Sequence, residues 1–230
     1  MKALLYKEFK LAMHPICYVF IIVFPLMILI PSYPPAVGFI YVLTTYPILF
    51  LGANKGQQSN DLLFSTLLPI RKRDIVLARI FTVIIMHIIF TLIMTALYPL
   101  ALLIDSSIPP SESESAVTFH MLGLDGYVSI LGISLIGFAI ADLIYFLVYY
   151  KNGKSIVLST LLMIIGYVIY LAIFTIIIPN LPGCLWYEEF LCKSGIGYQF
   201  IVLGSALIIY VLLHIITHKI ASKELEQVDF

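Results

Sequence analysis

Four stretches of this chain contain no Lys, Arg, Asp or Glu: residues 11–54, 80–104, 155–187 and 194–218. Uncharged runs of that length cannot cover a soluble domain. They match the roughly 20 apolar residues that a helix needs to cross a ~30 Å hydrocarbon core at about 1.5 Å per residue. Composition agrees, with 61% of the 230 residues apolar and 11% charged; an average soluble domain has about 45–50% and about 25%. Such a chain is neither disordered nor an ordinary soluble enzyme. Thirteen basic residues balance thirteen acidic ones. It therefore has no overall basic excess to meet phosphates, and nucleic acid is not expected as a partner. A transmembrane β-barrel would show ~10-residue alternating segments, and the sequence has none. The predicted fold class is all-α, a polytopic membrane protein.

The segment Pro31-Ser-Tyr-Pro-Pro35 divides the first run, because Pro lacks the N–H and clashes with the preceding turn. This predicts one transmembrane domain over 1–230 with six spans, at about 15–31, 36–53, 77–104, 126–149, 156–178 and 197–217. Orientation follows from the basic residues. Lys2, Lys7, Lys10, Lys55, Arg71, Lys72, Arg73, Arg79, Lys151, Lys154, Lys219 and Lys223 fall on one side, and Lys193 alone on the other. Both termini are expected in the cytoplasm. The N-terminus lacks a small-residue cleavage site and is expected to remain. Cys17 reads as a packing residue within the first span. Cys184 and Cys192 share the outer 180–196 loop, where a disulfide is open to them but not required.

Several chemistries are excluded. His14, His87, His120, His214 and His218 form no HExxH pattern. His214 and His218 read as interfacial residues near the cytoplasmic end of the last span, and no metal centre is expected. Glu188-Glu189 would need Arg four positions later to resemble a paired-glutamate intramembrane protease, and that residue is Lys193. Gly153-Lys154-Ser155 ends like a phosphate-binding loop, but the Gly required five positions before Gly153 is Val148. The chain is not expected to be an enzyme.

Two cytoplasmic segments look suited to surfaces. In Lys2–Met13, Leu5, Phe9, Ala12 and Met13 recur at helical spacing, with Lys7 and Lys10 opposite. This reads as an interfacial helix with its lysines toward lipid headgroups, the alternative being a basic flank that sets topology. In the loop 54–79, Asn60 or Asp61 can cap a short helix over Leu62–Leu68, stopped by Pro69. It carries Leu63, Phe64 and Leu67, followed by Arg71-Lys72-Arg73-Asp74. An apolar patch at the cytoplasmic face suits a docked protein. The alternative is a helix lying against the membrane.

Asp142 is the acid deepest in a span, an expensive position that faces protein or water. His87 lies eight residues above Arg79, about 12 Å, and Asp142 nine above Lys151, about 13 Å. Their similar depth predicts a hydrogen-bonded His87–Asp142 pair joining spans three and four. The alternative is an Asp142 that faces an aqueous vestibule or snorkels to the inner interface. Gly137 and Ala141, four apart beside it, allow close helix approach.

The stretch Asn60–Arg79 (NDLLFSTLLPIRKRDIVLAR) resembles the first cytoplasmic loop of type-2 ABC exporter permeases. In that family an acidic residue precedes a short helix, a Leu-Pro-x-x-Arg-like turn follows, and a basic residue opens span three. Here these are Asp61, Leu68-Pro69, Arg71 or Arg73, and Arg79. The resemblance implies a half-transporter in the bacterial cell membrane, paired with a second permease. The short helix would be the coupling helix, docking a cytoplasmic ATPase through Asp61, Leu63, Phe64, Leu67, Pro69, Arg71 and Arg73. ATP and magnesium would be bound by that partner, and the 180–196 loop would form an exit gate. The subgroup it most resembles exports peptides such as bacteriocins or membrane-active toxins, the phenol-soluble modulin exporter among them. The other function considered is a stand-alone membrane interaction or immunity protein without transport activity.

Overall fold

The structure is a computed structural model and describes residues 2–13, 15–29, 41, 70–107, 127–151, 156–178 and 196–227. The predicted second span (apart from Tyr41), the coupling-helix residues Asp61, Leu63, Phe64, Leu67 and Pro69, and the loop cysteines Cys184 and Cys192 lie outside the described residues.

The protein is an all-α polytopic membrane protein. Among the described residues there is no strand. Helix α1 covers Lys2–Lys7 and runs into a π-helical turn over Glu8–Ala12. Helix α2 covers Ile16–Leu26 and tightens into a 3₁₀ turn over Met27–Leu29. Helix α3 covers Lys72–Ser107, and α4 covers Tyr127–Lys151. Helix α5 covers Ile156–Ala172 and widens into a π-helical turn over Ile173–Ile177. Helix α6 covers Ile196–Gln227. Among the described residues, α3, α4 and α6 are each long and apolar enough to cross a membrane; α2 and α5 are shorter apolar helices.

The helices α3 and α6 extend beyond the predicted spans, α3 at its start and α6 at its end, where Lys72, Arg73, Lys223 and Glu226 continue the helical register. Charged residues of this kind can extend a helix past the bilayer without crossing it. The start of α3 is ordered by its own backbone, since the Asp74 N–H donates to the Arg71 carbonyl at 2.9 Å. Asp74 in the first turn suits the positive end of the helix dipole. Within the span, Thr91 and Thr95 return their hydroxyls to the carbonyls of His87 and Thr91, at 2.9 and 2.8 Å. A hydroxyl in hydrocarbon is thereby satisfied without a neighbouring helix.

Helix α4 is the centre of the packing. It lies against both α5 and α6, while α3 packs on α6, α2 and α1. In its most apolar window 67% of residues are buried, against 22% for α6. Small residues permit this closeness. A Cβ on Gly132 would stand 3.2 Å from the Cα of Leu203, so α4 and α6 meet backbone to backbone. A Cβ on Gly137 would stand 2.8 Å from the Tyr170 ring. That ring occupies the space, and its hydroxyl donates to the Ile133 carbonyl at 2.7 Å. The outward faces remain strongly apolar: Val157, Leu161, Ile165 and Ile169 on α5, and Ile201, Ile208, Leu212 and Ile215 on α6, are all exposed. Such a surface suits lipid rather than water.

Candidate functional site

Three helices bring three ionisable side chains to one point in the core. His87 on α3, Asp142 on α4 and His214 on α6 are all buried, and their ligand-capable atoms lie within 4.8 Å of one another. His214 Nδ1 is 2.8 Å from the Tyr210 carbonyl oxygen one turn earlier. A carbonyl can only accept, so Nδ1 carries the hydrogen. His214 Nε2 is 2.8 Å from Asp142 Oδ2. A bond of that length between two acceptors requires one shared proton, carried either by the imidazole or by the carboxyl. In both arrangements the pair as a whole is neutral, and this is what makes it tolerable at this depth.

His87 Nδ1 stands 3.8 Å from the same Asp142 oxygen and 3.2 Å from the Tyr210 hydroxyl. The direct His87–Asp142 hydrogen bond expected from the sequence is thus replaced. The two residues are neighbours at the expected depth, but the carboxylate is bonded to His214. His214, read from the sequence as an interfacial residue, is buried in the protein, and with His87 and Asp142 it makes a cluster of metal-ligand type that was not expected. The ring of Phe138 stacks on His87 at 4.7 Å between centroids, and Tyr41 stacks on Phe90 at 4.1 Å beside it. An aromatic wall therefore separates the polar atoms from the adjoining cleft between α3 and α4. That cleft is lined by Phe90, Thr91, Met94, Tyr127, Ser134 and Phe138.

A second polar cluster lies where the N-terminal segment meets the early turns of α3. Glu8 and Arg79 are both buried, with Glu8 Oε2 3.5 Å from Arg79 Nε. Arg79 Nη1 also donates to the Tyr149 hydroxyl at 3.3 Å. The π-helical turn makes this contact: it closes with the Met13 N–H donating to the Glu8 carbonyl at 2.9 Å. Leu4, Glu8 and Met13 are buried, and Phe9 packs against the core, so Leu4 and Glu8 join Phe9 and Met13 of the face inferred from Leu5, Phe9, Ala12 and Met13. Lys10 is exposed and donates to the Tyr6 hydroxyl at 2.6 Å. Lys7 is mostly covered and lies 3.9 Å from Glu8 Oε1.

Of the residues assigned to docking, Arg71 and Arg73 are described. Arg71 is exposed just ahead of α3. Arg73 Nε donates to Glu226 Oε1 at 2.7 Å, an exposed pair that ties the start of α3 to the end of α6.

These observations define a membrane-embedded helical domain with a polar centre and a charged base. The family model described as ABC-2 family transporter protein matches residues 3–224. The chain belongs to that family and is a permease component of an ABC transporter. No curated protein and no solved structure matches it.

Proposed function

We propose that this permease is one half of an exporter in a bacterial plasma membrane, with both termini cytoplasmic. Two such chains, identical or different, form the path, and separate cytoplasmic ATPases bind ATP and magnesium and drive it. The substrate class is an amphipathic or hydrophobic molecule, with membrane-active peptides the first candidates. The observation that carries this reading is the family match over residues 3–224, which takes in the whole of the loop resembling a coupling segment. Two further features support it. Helix α3 begins at Lys72, between the proposed docking residues Arg71 and Arg73. At its base it is tied to the N-terminal segment through Glu8–Arg79 and to α6 through Arg73–Glu226. A push on the loop would then reach α1, α3 and α6 together.

Co-purification tests the reading. The wild-type chain should retain a soluble protein bearing the GxxxxGK[ST] phosphate loop. The double variant Leu63→Asp, Leu67→Asp should lower that recovery at least about tenfold, as loss of an interface anchor does, while still inserting in the membrane. Unchanged recovery and unchanged substrate efflux would refute docking through this helix.

A further inference from the structure

We propose that His87, Asp142 and His214 form a binding site for one divalent transition-metal ion of the zinc class, with the Tyr210 hydroxyl as fourth ligand. The donor set is the first argument. Two imidazole nitrogens and one carboxylate are zinc ligands, whereas magnesium and calcium prefer oxygen alone. The second is orientation. His214 Nδ1 donates to the Tyr210 carbonyl at 2.8 Å, which leaves Nε2 facing Asp142 and His87. A ring fixed through its other nitrogen in this way is the usual arrangement behind a metal-bound histidine. The third is an unused donor, since Asp142 Oδ1 is buried without a hydrogen-bond partner. It is the unpartnered oxygen of a fully buried side chain.

Distances and charge are compatible. Zinc–nitrogen and zinc–oxygen bonds of about 2.0–2.1 Å in a tetrahedron place the ligand atoms about 3.3 Å apart. The Asp142–His214 and His87–Asp142 separations, 2.8 and 3.8 Å, fall on either side of that spacing. The metal would take the place of the proton now shared by Asp142 and His214. The Tyr210 hydroxyl, 3.2 Å from His87 Nδ1, would give up a second proton, and both would pass to solvent. One carboxylate and one phenolate then cancel the +2 charge, two imidazoles remain neutral, and the buried site carries no net charge. An ion held there would clasp α3, α4 and α6 in one arrangement.

The test uses the full-length chain in detergent, free of any polyhistidine tag, stripped with a chelator and dialysed against zinc chloride. Plasma mass spectrometry should find about one zinc per chain, and magnesium chloride at the same concentration should leave none. His87→Asn and Asp142→Asn should each weaken retention at least about tenfold, while His218→Ala should not. Cobalt(II) titrated into the wild-type chain should give the strong visible absorption of a four-coordinate nitrogen–oxygen site, a readout independent of how the variants fold. A wild-type chain without zinc, equal zinc in folded variants, or the weak absorption of six-coordinate cobalt would each overturn the assignment.

Discussion

Arg79 and His87 lie eight residues apart on α3, about 12 Å along the helix, yet their surroundings handle charge differently. At the base, Glu8 and Arg79 are two opposite charges 3.5 Å apart, with the Tyr149 hydroxyl as a further acceptor. In the core, Asp142 and His214 hold one proton between them and are neutral as a unit. Both sites are buried, so neither leans on water: the base sets one charge against another, whereas the core uses a hydrogen bond that closes only with the correct proton count. Two buried sites on one helix thus use two kinds of polar contact.

Truncating one partner at each level tests that contrast. Asp142→Ala should have the largest effect, because it strands His214 Nε2 in the core; a loss of about 3 kcal/mol is expected, read as thermal unfolding in detergent. Glu8→Ala should cost less, about 2 kcal/mol, because Arg79 keeps the Tyr149 hydroxyl. A Glu8→Ala loss equal to or larger than that of Asp142→Ala would show that the core pair is not the more demanding of the two. Arg73→Ala removes an exposed pair and should leave the unfolding midpoint unmoved at physiological salt. A clear shift there would show that the α3–α6 tie is structural and not merely a feature of the exposed surface.

Much of the fold was legible because a bilayer imposes a length and a polarity on each helix. The uncharged runs contain the apolar part of α3 and of α6, the span of α4 is uncharged apart from Asp142, and the basic residues marked one end of α3 and of α6. The extensions beyond the spans were not legible, since charged residues at a helix end read equally well as a loop. Asp142 stood out as the acid deepest in a span, and His87 could be placed at its level by counting turns. His214 was missed because its closeness to Lys219 suggested an interfacial role. The signal available was donor arithmetic: a buried carboxyl needs a proton donor, and His214 was another ionisable side chain inside an uncharged run. Glu8 was missed for a different reason. The regular 3.6-residue wheel places it away from Met13, and the π-helical turn brings the two onto one face.

The Asp142–His214 bond also bears on how the chain is made. Its partners are 72 residues apart. At a synthesis rate of about 5–20 residues per second, Asp142 exists for roughly 4–14 s before His214 does. During that interval α4 has α3 beside it in sequence order and no α6 to lean on. His87, already made and 3.8 Å from the carboxylate in the finished protein, is the imidazole available to it at that stage. The last helix then completes the core by supplying the stronger bond.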